Sequence, residues 1–277
     1  MNKRSPVKIS SRIFSNLSKR MDVAIAGTFL VIFVVAGFVG PLILNQPYQM
    51  SHFYFAPPGT HGYLLGTDKY GRSELTRVLW GMRTSLVVSF TSVSGATLIG
   101  VGLGVVAAWS KPLDLLIMRL MDVLMAFPSI LLAIGIMAMV GPGMSSVIEA
   151  IVIVYIPIFA RVVRGPAMTE LSKSYVEAAQ SIGASPFRIL SRHVVVNIIP
   201  ILLVQISIAL GDAIIIEAAL SYLGLGISPP AASLGALLLS GQSFMFTAPW
   251  LVLAPGIAIA WAVFGFNLLG DALSQSK

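Results

Sequence analysis

The chain has 277 residues, of which 56% are hydrophobic and only 10% are charged, and its formal net charge is +7. Soluble domains contain about 25% charged residues, so this composition excludes an ordinary water-soluble fold and indicates an integral membrane protein. Basic cytoplasmic loops explain a positive charge in such proteins, which favours a lipid bilayer over nucleic acid as the partner, and the lack of cysteine excludes disulfides and thiolate chemistry.

The N-terminal segment, residues 1–22, is rich in lysine and arginine and precedes a long apolar run, residues 23–44. At about 1.5 Å per residue, a helix of this length spans the roughly 30 Å hydrocarbon core of a bilayer. The apolar core of a signal peptide is shorter. We therefore predict a cytoplasmic N-terminal segment followed by a retained first transmembrane helix.

Five further apolar stretches are long enough to cross a bilayer. The six predicted spans are residues 23–44, 84–108, 115–139, 147–166, 197–217 and 250–269. Lysine and arginine recur in the N-terminal segment and between the fourth and fifth spans, which places both regions in the cytoplasm by the positive-inside rule. The sequence thus predicts an all-α integral membrane protein with six transmembrane helices and both termini cytoplasmic.

Two spans carry residues that predict how their helices pack or bend. Gly100 and Gly104 in the second span form a small-xxx-small pattern, which favours close helix packing over a nucleotide-binding loop because the surrounding span is apolar. Pro128 in the third span predicts a kink.

Two connections at the outer face differ in composition. The segment before the second span mixes basic residues with Asp68 and Glu74, and we expect these charges to lie on a helix packed against the bundle. Residues 220–249 contain Gly224, Gly226, Pro229 and Pro230. This second connection is expected to be irregular, and either exposed or folded back onto the bundle.

The cytoplasmic connection, residues 168–196, reads as a helix, a turn and a second helix. Gly183 suits the end of the first helix, while Ser185 followed by Pro186 suits the N-cap and first position of the second. A short helical hairpin is therefore predicted below the membrane.

Charged residues within spans are costly and are candidates for function. Arg119 and Asp122 lie three residues apart in the third span, a spacing that favours an ion pair on one helix face. Asp212 and Glu217 lie near the outer end of the fifth span. They either line a pathway for a polar or cationic solute or serve as caps and loop anchors.

Residues 175–193, which read YVEAAQSIGASPFRILSRH, resemble the cytoplasmic EAA loop of ABC importer permeases, in particular the branch that carries dipeptides, oligopeptides and nickel. The alternative interpretation is an amphipathic linker. The resemblance implies a type I importer transmembrane domain over residues 23–277, which forms half of the translocation pathway. It also implies that the loop docks on an ATPase subunit through Glu177, Ala178, Ala179, Gly183, Ser185 and His193.

Further stretches resemble the same branch, namely residues 65–72, 217–230 and 267–271. Two positions depart from the family pattern. Ser73 stands where an acid is usual, and Val196 rather than a proline precedes Asn197. The second departure leaves the start of the fifth span open.

The resemblance implies four kinds of partner in a bacterial inner (plasma) membrane: a homologous second permease, two ABC ATPase subunits, an extracytoplasmic substrate-binding protein and the lipid itself. The expected solute is a di- or oligopeptide, with nickel or a metal chelate as the alternative within the class. Outside the class, a secondary transporter or channel would require ion-coupling residues near midspan or an inverted repeat, and neither is evident.

Several catalytic and binding motifs are missing from the sequence. No Gly-x-x-x-x-Gly-Lys-Ser/Thr occurs, so ATP and Mg are expected on the partner ATPases, and this chain is expected to be neither an enzyme nor a cofactor-binding protein. The three histidines, His52, His61 and His193, form no legible metal-binding pattern.

Overall fold

The computed structural model describes residues 7–44, 46–227 and 231–275, and these ranges are predominantly helical. The α-helices are α1 (Val7–Ile43), α2 (Glu74–Trp109), α3 (Lys111–Met125), α4 (Ser129–Val140), α5 (Met144–Leu171), α6 (Ser174–Ser181), α7 (Pro186–Ile189), α8 (Val195–Tyr222), α9 (Leu234–Gly241) and α10 (Trp250–Ser274). A π-helical turn, Leu190–Val194, joins α7 to α8, and a 3-10 turn, Gln242–Phe244, follows α9.

Within the described ranges, five helical segments are long and apolar enough to cross a membrane: the part of α1 from Ala24 onward, α2, α5, the continuous stretch Pro186–Tyr222, and α10. The pair α3 and α4 is apolar enough only when the two helices are taken together, and they are bent by 89° relative to each other. Pro128 lies at this bend, where its ring nitrogen cannot donate the hydrogen bond that would continue α3. The predicted all-α bundle is confirmed with five spans, or six when α3 and α4 count as one broken span, and the expected kink in the third is a break between two helices.

The centre of the bundle is built by α2, α5, α8 and α10, and α1 packs against α2 and α10. Phe33 of α1, Phe159 of α5 and Ile214 of α8 are completely buried there. The indole of Trp261 on α10 donates a hydrogen bond of 3.1 Å to the carbonyl of Phe29, which fixes α10 to the middle of α1.

Small residues allow α2 and α5 to approach closely along their length. A Cβ atom added at Gly104 would lie 2.4 Å from the carbonyl oxygen of Ala160, and one at Gly100 would lie 2.6 Å from Cβ of Phe159. Both distances are shorter than a normal contact, so glycine is required at both positions. The predicted helix-packing role of this glycine pair is confirmed.

The bundle has two ends that differ in their connections. The hairpin end carries residues 172–194, between α5 and α8, and the loop end carries residues 46–73 and 223–249. Residues 46–73 form an irregular loop with isolated turns, and α2 begins only at Glu74. The expected helix is therefore correct for Glu74, which begins α2, and wrong for Asp68. The loop before Glu74 is not helical because Gly66 and Gly71 adopt positive φ angles of +76° and +73° that turn the chain repeatedly.

Asp68 organises that loop. Its carboxylate accepts hydrogen bonds of 2.7 Å from Nε of Arg72 and from Nη1 of Arg77, and it also accepts from the backbone nitrogens of Tyr70 and Arg72. Arg72 and Arg77 thus neutralise Asp68 in a largely buried cluster. Ser73 caps α2 by accepting from the backbone nitrogen of Thr76.

The second connection at the loop end folds back onto the bundle, and it contains a helix that the sequence did not predict. Leu234 and Leu237 on one side of α9 are 0% and 1% exposed. Pro229 and Pro230 lie outside the described residues. The sequence did not predict α9 because glycine and proline residues precede it. The helix is also too short to show a clear helical repeat of apolar residues.

Candidate functional site

The hairpin, residues 172–194, begins with α6 and reverses direction at Gly183. The backbone nitrogens of Gly183 and Ala184 donate to the carbonyls of Gln180 and Ala179, which closes the end of the helix. Gly183 has a φ angle of +80°, and an added Cβ would meet no atom within 4 Å. Glycine is therefore needed here for the backbone conformation and not for lack of space.

The second arm of the hairpin begins at Ser185, as the sequence predicts. Its side chain accepts a hydrogen bond from the backbone nitrogen of Arg188, and Pro186 occupies the first helical turn. The predicted helix–turn–helix is thus confirmed, with α5 ending at Leu171.

The surface of the hairpin is exposed at the residues expected to dock. Glu177 and Ala178 are exposed and Ala179 is half-buried, while Val176 and Ile189 are completely buried and hold the two arms against the bundle.

Two docking candidates were missed in the sequence. Ile182 and Phe187, on either side of the reversal, are 87% and 81% exposed. The sequence did contain a clue to them, because large apolar residues stand close to Gly183 in an otherwise polar hairpin. Apolar side chains exposed at the tip of such a hairpin mark an interaction site.

A hydrogen-bonded chain ties the base of the hairpin to two long helices. The hydroxyl of Tyr175 on α6 donates to Glu170 of α5 at 2.7 Å and accepts from the side-chain amide of Asn197 of α8 at 3.2 Å. Asn197 also donates to the carbonyl of His193, and the ring of His193 packs 5.8 Å from that of Tyr175. Lys173 pairs with Glu170 at 2.5 Å. The bond to Glu170 raises the pKa of Tyr175, so its hydroxyl stays protonated and able to donate.

The helix that contains the fifth span begins before the predicted span. The second arm of the hairpin, the π-helical turn and α8 form one continuous helical stretch from Pro186 to Tyr222. No proline or glycine interrupts residues 187–199, so the helix passes through the place where the family pattern has a proline. A π-helical turn within a long helix often marks a functional site.

A second group of charges lies at the hairpin end, on α3 and α5. Asp122 accepts a hydrogen bond of 2.5 Å from Arg161, and Asp114 forms a bidentate pair with Arg164. The expected pair between Asp122 and Arg119 on one helix face is therefore wrong. Arginines of a neighbouring helix are better placed, because α3 packs beside α5.

Glu217 and Asp212 occupy very different surroundings on α8. Glu217 is completely buried, and its carboxylate accepts hydrogen bonds of 2.6 and 2.9 Å from Ser85 of α2 and Ser221, with Ser233 as a third partner. These contacts connect α2, α8 and the start of α9, which fits the loop-anchoring alternative. Asp212 is half-buried and has no hydrogen-bond or ion-pair partner among the described residues.

No group of three or more histidine, cysteine, aspartate or glutamate side chains in the described ranges is arranged to hold a metal ion.

Residues 100–276 match the family described as "Binding-protein-dependent transport system inner membrane component". The chain belongs to this family. The match confirms the resemblance to ABC importer permeases that the hairpin residues indicated. The chain is thus a permease subunit of an ABC importer.

Relatives of similar length extend the match over nearly the whole chain. A Brucella suis protein whose name describes it as a peptide transport system permease is 43% identical over 98% of this chain and 90% of its own length. The dipeptide transport system permease protein DppC of Alkalihalophilus pseudofirmus is 37% identical over 93% of this chain and 86% of its own. The glutathione transport system permease protein GsiD of Pectobacterium atrosepticum is 38% identical over 93% and 87%.

Solved structures share the fold at low sequence identity. An inward-facing MetNI methionine ABC transporter matches with a TM-score of 0.59 and 18% identity, covering 72% of this chain and 95% of that one. An amino acid ABC transporter matches with a TM-score of 0.52, 21% identity, and coverage of 72% and 91%. The predicted type I importer transmembrane fold is confirmed.

Proposed function

We propose that this permease subunit forms half of a pathway for di- or oligopeptides across a bacterial inner membrane, with the hairpin and both termini in the cytoplasm. A homologous second permease supplies the other half. Two ABC ATPase subunits dock on the hairpins, and an extracytoplasmic binding protein delivers the peptide at the loop end.

The observation that carries the docking proposal is the exposed apolar tip of the hairpin. Ile182 and Phe187 are almost fully exposed, whereas Val176 and Ile189 behind them are completely buried. Apolar side chains held this far out on an anchored element fit a groove of a partner protein, with Glu177 and Ala178 providing the flanking contacts.

The peptide assignment is supported by the relatives, which are named for peptides, dipeptides or glutathione at 37–43% identity. Nickel has less support, because the same relatives carry no metal in their names. Since the sequence has no phosphate-binding loop, ATP and Mg belong to the partner subunits.

The mechanism follows from how the hairpin is attached. ATP-driven closure of the ATPases draws the two hairpins of the permease pair together, and each hairpin is bonded to α5 and α8 through Tyr175. Movement of those helices exposes the pathway alternately to the two sides of the membrane, and hydrolysis returns the complex to its starting state.

The test is affinity purification of the tagged chain in a detergent that preserves such complexes. Ile182→Asp and Phe187→Asp place a carboxylate in the apolar contact, so the yield of bound ATPase should fall about tenfold or more while the second permease is retained. Phe246→Asp is the matched control, since Phe246 is 92% exposed in the connection at the loop end.

Two outcomes would contradict the proposal. One is a wild-type chain that purifies alone or as a homo-oligomer, which would favour the channel or secondary-transporter alternative. The other is retention of the ATPases by both hairpin variants. Uptake of a labelled dipeptide and of radioactive nickel is then compared in cells expressing the complete system, which decides which of the two solutes is transported.

A further inference from the structure

Asp212 is an uncompensated acid within a membrane-spanning helix. It lies in the helical stretch Pro186–Tyr222, which is long and apolar enough to cross a membrane, and it has neither a hydrogen bond nor a salt bridge within the described part of the chain. A carboxylate inside a membrane is costly, and such residues normally pair with one another or face a water-filled cavity.

Three acids on α3 and α8 have structural partners that Asp212 lacks. Asp114 and Asp122 pair with arginines of α5, and Glu217 receives serine hydroxyls. The carboxylate of Asp212 is thus left without a structural role in the packing of this chain.

The side of α8 that carries Asp212 is partly polar. Gln205, Ile208, Asp212 and Ile215 follow one another at spacings that put them on one side of α8, and all are half-buried or exposed. This side of α8 therefore combines amide and carboxylate groups with aliphatic ones, which lipid chains would not favour.

A neighbouring helix adds a polar group at the same level of α8. A Cβ atom built on Gly211, the residue before Asp212, would lie 3.7 Å from Oδ1 of Asn267 on α10, and Asn267 is exposed. An exposed amide of α10 therefore lies against α8 one residue away from the unpaired acid.

We propose that Asp212 binds the α-ammonium group of the peptide during its passage. The inference rests on the proposed function and extends it by naming a residue of the pathway. A peptide with a free amino terminus carries a positive charge at neutral pH, and a charge-assisted hydrogen bond to Asp212 supplies the counterion that the helix lacks. A single contact of this kind keeps binding weak, which allows the peptide to be released.

The test uses the absence of native cysteine from this chain, so that one introduced thiol is the only reactive thiol in its band after the labelled subunits are separated by electrophoresis. Ile215→Cys places that thiol on the same side of α8 three residues from Asp212, at a position that is 41% exposed. In the purified complex with its ATPases, alanyl-alanine at millimolar concentration should slow maleimide labelling, whereas N-acetyl-alanyl-alanine should protect about tenfold less effectively.

The charge of Asp212 is then varied in the same background. Asp212→Asn should abolish the difference between the two peptides, and Asp212→Glu should restore most of it. Glu149→Gln is the control and should leave protection unchanged, since Glu149 is an exposed acid near the start of α5.

Equal protection by the two peptides, or protection by neither, would overturn the inference. Persistence of the difference in Asp212→Asn would overturn it as well. The proposed function is contradicted by a different result, namely a wild-type complex that lacks ATPases or takes up no dipeptide. A complex that transports dipeptide normally but shows no amino-terminus-dependent protection excludes the role of Asp212 alone.

Discussion

Tyr175 and Asn197 are joined by a hydrogen bond of 3.2 Å, although 22 residues separate them in sequence. The bond connects the first arm of the hairpin to the start of α8, and the same phenol donates to Glu170 at the end of α5. The hairpin is therefore attached to both of the long helices that flank it.

Replacing Tyr175 with phenylalanine should weaken energetic coupling between the ATPases and the pathway. The ring stays in contact with His193, but both hydrogen bonds of the hydroxyl are lost. Both bonds are exposed, so each contributes about 0.5 kcal/mol and the pair about 1 kcal/mol. We therefore expect the number of ATP molecules hydrolysed per peptide to rise about fivefold, measured in proteoliposomes.

The control for this experiment is Tyr222→Phe, which removes a phenol hydrogen-bonded to Gln242 at the opposite end of α8. Its coupling ratio should equal that of the wild type. A Tyr175→Phe complex that loses transport and ATP hydrolysis in equal proportion would point to a fault in assembly and not in coupling.

Gly183→Ala should weaken ATPase docking without unfolding the chain. Its φ angle of +80° is unfavourable for any residue with a Cβ by about 1–2 kcal/mol, so the reversal of the hairpin is strained. ATPase co-purification should fall roughly five- to thirtyfold, while the thermal midpoint of the permease stays within a few degrees.

Gly165→Ala provides the matched comparison, since Gly165 lies within α5 and an added Cβ there meets no atom within 4 Å. It should retain the ATPases fully. If both variants behave alike, the backbone conformation at Gly183 has no part in docking.

The hairpin was largely predictable because its signals are local. Gly183 and Ser185 act through their own backbone and the next few residues, and the spacing of the two positions is visible in the sequence. The continuity of the second arm with α8 was not predictable to the same degree, since the π-helical turn depends on how the second arm packs against the bundle.

The charge pairs, unlike the hairpin, were not predictable from local sequence. Asp122 had a partner of suitable sign three residues away, yet the structure pairs it with Arg161 across a helix contact. Local spacing permits an interaction but does not select it. For the same reason the sequence left Glu217 between two roles, because its partner Ser85 is 132 residues distant.

Gly104→Ala should destabilise the bundle measurably. The new methyl group would lie 2.4 Å from the carbonyl oxygen of Ala160, so α2 and α5 must move apart at their closest contact. Overpacking of this kind costs about 1–3 kcal/mol, and the midpoint of thermal unfolding in detergent should fall accordingly. Gly102→Ala, two residues away on the same helix with no atom within 4 Å, should leave the midpoint unchanged or raise it. Equal midpoints for the two variants would contradict the packing argument.

The proposed orientation predicts which end of the bundle reacts with a thiol reagent that cannot cross the membrane. Because the chain has no cysteine, Ser181→Cys reports on the hairpin alone and Phe246→Cys on the loop end alone, and both positions are exposed. In spheroplasts Phe246→Cys should react within minutes, whereas Ser181→Cys should react only after the membrane is permeabilised. Inside-out vesicles should reverse this order, which controls for the intrinsic reactivity of each thiol. Labelling of Ser181→Cys in intact spheroplasts would place the hairpin outside the cell, where no ATP-driven partner has access to it.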